Sequence, residues 1–318
     1  MAPPVISLIV PTRGRCGPLR RFLASVAATA ARPDRLEIVL VIDDDDPASA
    51  AVAHPRLTVR HVAGLPGRTM GALNTAGYDG SSGEYVMLAN DDVVVRTRGW
   101  DETARRCIER FPDRLALIHV NDTLMRDHLC VFPFVSRRFC ELAGGVCPAE
   151  YERYRIDDHI EDVFNLVNAL GERRVVYLPD VRFEHLNAVV HPTAGRVYQS
   201  EPGALARDAA RFEALLPARK ELALRIMRQV ECARGADGSV DRAATLDAVA
   251  DSLALRVPGR QLVVRAGWWE RAPGAAAGLF RRAVARVRTR YRLEGVGGLL
   301  RAAGRQCLGR REAARRDS

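Results

Sequence analysis

LEIVLVIDDDD, residues 36–46, puts seven residues, apolar except for Glu37, directly before four aspartates. The apolar run, Leu36 to Ile42, is too short for a stable helix and rich in β-branched residues, so it reads as a buried strand. Val5–Val10 (VISLIV), closed by Pro11, reads as a second strand, and Leu57–Val62 as a third. A fourth, Glu84–Leu88 (EYVML), runs into Asn90-Asp91-Asp92. Between them lie segments of helical spacing: Leu19–Ala31, with Leu19, Phe22, Leu23 and Val26 on one face, and Met70–Ala76 after a turn at Gly64–Gly67. Strands alternating with helices predict an α/β fold, a mostly parallel sheet covered by helices on both faces.

The alternation continues past Trp100. Asp101–Arg110 reads as helix, Leu115–Val120 as strand and Arg137–Ala143 as a short helix before Gly144-Gly145. Ile160–Leu170 reads as a helix opened by Glu161 and Asp162 and capped by Gly171. Arg174–Leu178 reads as a strand closed by Pro179. Near Pro202 the composition turns to long Ala/Leu/Arg stretches, Ala204–Ala233 and Arg242–Arg256. This predicts an α/β domain over residues 1–200 and a mostly helical extension over 201–318.

Of the 318 residues, 47% are hydrophobic, enough for a sizeable core. The formal charge of +9 is localised: from Ala276 to Ser318 there are twelve arginines against Glu294, Glu312 and Asp317, which accounts for all of it. A near-neutral body argues against a general nucleic-acid-binding surface. The seven cysteines include no C-x-x-C pair, so neither a disulfide framework nor a zinc site is expected. No apolar run is long enough to span a bilayer, and no signal-like segment precedes the first strand. The expectation is a cytoplasmic protein, soluble or peripheral to the inner face of the membrane.

Ligands of open parallel sheets bind beyond the carboxyl ends of the strands, where both Asp43–Asp46 and Asp91-Asp92 fall. Crowded carboxylates repel, and a divalent cation or ligand hydrogen-bond donors would relieve them. Such aspartates also cap helices and turns. A third acidic group is Asp157-Asp158-His159-Ile160-Glu161-Asp162, and Glu184-His185 follows the last strand.

In this order the segments resemble the family-2-type glycosyltransferases of the GT-A fold, over about residues 5 to 190. ISLIVPTRGR is similar to the family's opening strand and nucleotide-binding loop, which places Pro11, Thr12 and Arg13 against the donor. VLVIDDDDPAS is similar to the segment whose aspartate reads the donor base, pointing to Asp43 with Asp44 as its alternative. GRTMGALNTAGYDGSSGEYVMLANDD resembles the segment leading to the metal-binding D-x-D. HIEDVFNLVNALGERRVVYLPDVRFEH resembles the segment with the family's E-D pair and later His. The chain departs from the pattern at Ala89-Asn90-Asp91-Asp92, where the first aspartate of D-x-D-D is absent, and at GGVCPAEYERYRIDDHIED, which replaces a glycine-rich stretch.

The resemblance implies transfer of a sugar from a nucleoside-diphosphate donor to a saccharide or lipid-linked hydroxyl, with inversion. It implies a divalent cation, Mn²⁺ or Mg²⁺, held by Asp91 and His185, with Asn90 beside them and Arg68 near a phosphate oxygen. Asp162 matches the general base, with Glu161 orienting it or the acceptor. Surface polysaccharide assembly is the pathway it suggests. A nucleotidyltransferase on a related fold and a non-catalytic binding or scaffold protein are the alternatives. No G-x-x-x-x-G-K-[ST] loop or G-x-S-x-G elbow occurs. Phe280, Val284, Val287 and Tyr291, with arginines around them, form a basic amphipathic pattern that suits an anionic membrane surface or packing on the body. Trp268-Trp269 reads first as packing of the extension against the core, with a place in an acceptor cleft as the alternative.

Overall fold

The computed structural model describes residues 4–64, 68–187, 202–234 and 261–263. Strand β1 (Ile6–Thr12) lies between β2 (Leu36–Asp43) and β4 (Tyr85–Leu88), with β3 (Thr58–Gly64) outside β2, all parallel. β7 (Phe134–Ser136) runs antiparallel between β4 and β6 (Leu117–Asn121), and β8 (Val175–His185) returns parallel to β6. β5 (Val93–Val95) pairs antiparallel with the end of β8, and the short β9 (Leu262–Val263) pairs parallel with β8. The mostly parallel sheet flanked by helices is the fold class expected from the alternating pattern.

Alternate residues of the strands enter two apolar layers. Ile6, Leu8 and Val10 of β1 and Ile38, Leu40 and Ile42 of β2 meet α1 (Cys16–Thr29) through Leu19, Phe22, Leu23 and Val26. The same layer takes Trp100, Ala104 and Ile108 of α4 (Trp100–Ile108). On the other face Ile9, Val41, Val86 and Leu88 meet Ile160, Val163, Phe164 and Val167 of α6 (Ile156–Ala169). Burial on both faces is why the strands read as continuous apolar runs. Two further helices flank the sheet, α3 (Met70–Asp79) and α5 (Arg137–Ala143), beside the short α2 (Pro47–Ala50).

Of the boundaries that differ from the sequence reading, three have a local cause. β1 runs through Pro11, because β4 pairs with it only as far as Ile9. Pro11 faces the same edge as Ile9, so the donor it lacks has no partner there. β8 likewise runs through Pro179: its register with β6 shifts between Leu178 and Arg182, and the Pro179 carbonyl accepts from Asn121 Nδ2 at 2.8 Å. α6 opens at Ile156, so Asp157 and Asp158 occupy its first turn, not Glu161 and Asp162. Arg155, at φ 69°, makes the left-handed turn into it.

Ala204–Ala233 is two helices, α7 (Ala204–Ala214) and α8 (Leu216–Arg234). Pro217 stands in the first turn of α8, where no amide donor is needed. Leu222, Ile226, Met227 and Val230 of α8 join the layer over α6. Met1–His185 and Pro202–Gly267 make one compact unit; of the second, Leu186–Glu201 with Trp268–Ser318, only Leu186 and Asn187 are described. The helix expected over Arg242–Arg256, Trp268-Trp269 and the basic pattern around Phe280 lie outside the described residues. No described helix is long and apolar enough to cross a membrane.

Candidate functional site

The carboxyl ends of β1, β2 and β4 bring Thr12, Asp43 and the Asn90–Asp92 turn to one edge of the sheet. α6 leads into β8 through a short loop, and β8 is parallel to β6, so the amino end of α6 comes to this edge too. β8 then continues past the bulge to pair with β5, setting His185 opposite Val93. Asp92, the residue before Val93, therefore meets His185: Nε2 and Oδ1 are 3.3 Å apart. Asp92 Oδ1 is buried and accepts no hydrogen bond. Phe132 stands edge-on to the His185 ring at 5.3 Å.

Asp91 turns the other way. Its Oδ2 accepts from Thr12 Oγ1 at 2.7 Å, and its Oδ1 is 2.9 Å from Arg15 Nη1. Arg15 also reaches Asp92, Nη2 to Oδ2, at 3.4 Å. The neighbouring carboxyls are driven apart in acidity. Burial pushes Asp91 up to about 6, against the pull of Arg15 and Thr12. Burial also acts on Asp92, but His185 and Arg15 outweigh it and hold Asp92 at about 2. Burial opposes protonation of His185, yet the Asp92 charge prevails and raises its pKa.

The first acidic cluster is gripped by the β1–α1 loop. Arg13 binds Asp43 at 2.6 Å and Asp45 at 2.5 Å. The Gly14 amide, in the left-handed region at φ 64°, donates to Asp46 Oδ2 at 2.6 Å. Asp46 also caps α2 through the Ser49 amide. Repulsion among these carboxylates is thus relieved partly by the chain's own arginines and amides. Asp44 and Asn90 are exposed, Pro11 is half-buried, and Arg68 is exposed just before α3.

The α6 residues divide between two environments. Glu161 Oε2 accepts the Cys130 amide at 2.9 Å, anchoring the loop that carries Phe132. Asp162 faces α8 instead: Arg219 Nε donates to its Oδ2 at 2.6 Å, with side-chain exposures of 0% and 2% for the arginine and aspartate. Arg219 also donates to the Phe212 carbonyl and lies over the Phe212 ring, 3.7 Å from its centroid. Asp162 is six residues into α6, about 9 Å from its amino end. Asp157, in the first turn, is half-buried at the open edge.

Helix α7 holds the segment entering α6. Asp208, fully buried, accepts the amides of Glu152, Arg153 and Tyr154 at 2.9, 2.9 and 2.8 Å. On its other side this segment closes on α3, whose Met70 and Gly71 amides donate to Glu152 and Tyr151 carbonyls at 2.9 Å. A Cβ on Gly71 would overlap the Pro148 carbonyl oxygen.

Asp91 and His185 were expected to share a metal; the carboxylate that meets His185 is Asp92, the other side of the same turn. Two ligand atoms about 2.1 Å from one cation and a right angle apart are separated by about 3 Å. The 3.3 Å between Asp92 Oδ1 and His185 Nε2 fits that spacing. No cluster of three metal-ligating side chains occurs among the described residues. The pair therefore fits a cation that draws its remaining ligands from phosphate and water, as Mg²⁺ commonly does.

No family model matches the chain, and no curated protein matches it. Its fold is similar to solved glycosyltransferases. A mannosyltransferase from Pyrobaculum calidifontis, solved with GDP-Man and Mn²⁺, is 18% identical over 92% of this chain and 88% of its own, with a TM-score of 0.46. TarS residues 1–349 from S. aureus, solved with UDP-GlcNAc, is 12% identical over 80% of this chain and 82% of its own, at 0.49. Glucosyl-3-phosphoglycerate synthase from Mycobacterium tuberculosis, solved with Mn²⁺, UDP and phosphoglyceric acid, is 13% identical over 68% and 78%, at 0.43.

Proposed function

We propose that this chain is a glycosyltransferase that moves a sugar from a nucleoside-diphosphate donor to an acceptor hydroxyl, with inversion. The observation that carries the reading is the convergence at one sheet edge of Asp92 and His185, spaced for a cation, with Arg15 beside them and Asp43 two strands away. Asp43 stands where a nucleoside would lie, and Arg13 fixes its carboxylate. Asp92 and His185 hold a divalent cation, and Asp91 braces the turn through Thr12 and Arg15. When bound, that cation neutralises the charge that grows on the diphosphate as the glycosidic bond breaks.

The acceptor hydroxyl needs a carboxylate within hydrogen-bond reach as it attacks. Asp162 is turned to Arg219 and closed from solvent, so we assign the base to Asp157, half-buried at the open edge of α6. Glu161 acts indirectly, through the Cys130 loop and Phe132 against His185. The acceptor is a saccharide or lipid-linked hydroxyl.

The test is thermal stability of the full chain against UDP, GDP and their sugars, with and without Mn²⁺ or Mg²⁺. A ligand bound only by the folded state raises Tm. A metal-dependent rise with one nucleoside diphosphate, lost in Asp92→Ala, supports the reading; no rise at millimolar concentration rejects it. With the donor identified, Asp157→Asn abolishes transfer while donor binding persists. Loss of transfer in a fully folded Asp162→Asn, with Asp157→Asn active, returns the base to Asp162.

A further inference from the structure

Arg15 is placed as no other cation of the site is. Gly14, left-handed and held by Asp46, turns the chain so that Arg15 occupies the position before α1. Its side chain makes no capping bond to that helix and lies across the strand ends instead. One arm meets Asp91 at 2.9 Å and the other only approaches Asp92, at 3.4 Å. Asp91 is closed off beneath it, whereas Arg15 keeps 22% of its side chain exposed. Arg13, in contrast, has both arms on carboxylates at 2.6 and 2.5 Å.

Resting on the glycosyltransferase reading above, we propose that Arg15 is the diphosphate-binding residue of this site and that, without donor, its guanidinium fills the role of the divalent cation between Asp91 and Asp92. A cation between Asp92 Oδ1 and His185 Nε2 would sit on the same carboxylate that Arg15 approaches from Oδ2. Positive charges that close oppose one another where water is scarce. A diphosphate relieves that opposition, because its negative oxygens accept from the guanidinium fork and lie between the two positive charges. The guanidinium therefore weakens cation binding in the empty site and opposes it far less once the diphosphate is present. By linkage, cation and diphosphate then raise each other's affinity by the same factor.

The experiment titrates the full chain with Mn²⁺ alone, then with UDP and GDP in the presence of Mn²⁺, by calorimetry. Circular dichroism checks the fold of each variant. Arg15→Met is expected to bind Mn²⁺ alone about tenfold tighter and the preferred nucleoside diphosphate about tenfold weaker. Arg15→Lys keeps the charge and loses the fork, so its Mn²⁺ affinity stays near wild type while diphosphate binding falls. Mn²⁺ affinity that is unchanged or lower in Arg15→Met overturns the stand-in role, and unaltered diphosphate binding overturns the ligand role. If neither UDP nor GDP binds the wild-type protein with Mn²⁺, the donor reading itself fails, and this proposal with it.

Discussion

Arg219 and Asp162 join α8 to α6 by a 2.6 Å contact that solvent does not reach. Removing one partner of such a pair strands the other as a buried charge, which costs about 3–5 kcal/mol. Arg219→Met should therefore lower the unfolding free energy by about that much, read from urea denaturation. Combining it with Asp162→Leu should restore much of the loss, since neither member of the pair is then left as an unpaired charge. A double variant no more stable than Arg219→Met would show that Arg219 acts through the Phe212 ring and carbonyl instead.

His159 gives a pH signature of the same region. It is buried with Nδ1 3.0 Å from the Tyr151 hydroxyl; burial, then the Arg219 charge, lowers its pKa from 6.5 to about 3. A lowered pKa means the unfolded chain takes up a proton that the folded chain refuses. The stability His159 brings is intact above pH 6.5 and drains away as pH falls towards 3. Within that window it contributes a slope of about 1.4 kcal/mol per pH unit. His159→Gln should flatten the denaturation profile between pH 6.5 and 4 relative to wild type. Parallel profiles would mean that His159 is protonated in the folded protein.

Gly71 is where α3 meets the segment before α6. An alanine there would press into the Pro148 carbonyl and Ala149 backbone, and backbone cannot swing aside as a side chain does. Gly71→Ala should cost about 1–3 kcal/mol in denaturant unfolding. Amide exchange should quicken at Gly71 itself and at residues 152–154, whose hydrogen bonds lie on either side of the same segment. A variant with wild-type exchange at those amides would show that the segment adjusts without letting go of α3 or Asp208.

β1, β2 and β4 were legible because burial on both faces leaves apolar runs, whereas β3, at the outer edge, is half-exposed and carries Arg60 and His61. β5, β7 and β9, of two or three residues, are too short to carry a period. That length also hid the Asp92–His185 contact: whether Asp91 or Asp92 faces His185 depends on β5 pairing with the end of β8. Pro179, read as the stop of that strand, sits instead at its bulge. Asp162 drew attention through its neighbours in sequence, but its surroundings come from Arg219, 57 residues on. In a chain with 48 lysines and arginines, neither Arg219 nor Arg15 announces itself. The spacing after Gly14, together with an arginine that would otherwise cap nothing, was the signal available for Arg15.

The three-rung ladder between β5 and β8 also has a consequence for biosynthesis. The βα units ahead of Asp92 can assemble as they leave the ribosome, in the order they are made. His185 arrives only after α6 and the whole of β8 have been added, and until it zips opposite Val93 the aspartate has Arg15 beside it but no imidazole. A nascent or truncated chain ending before that point holds a nearly finished sheet and lacks the Asp92–His185 pair. On the glycosyltransferase reading proposed above, such a chain is silent rather than partly active.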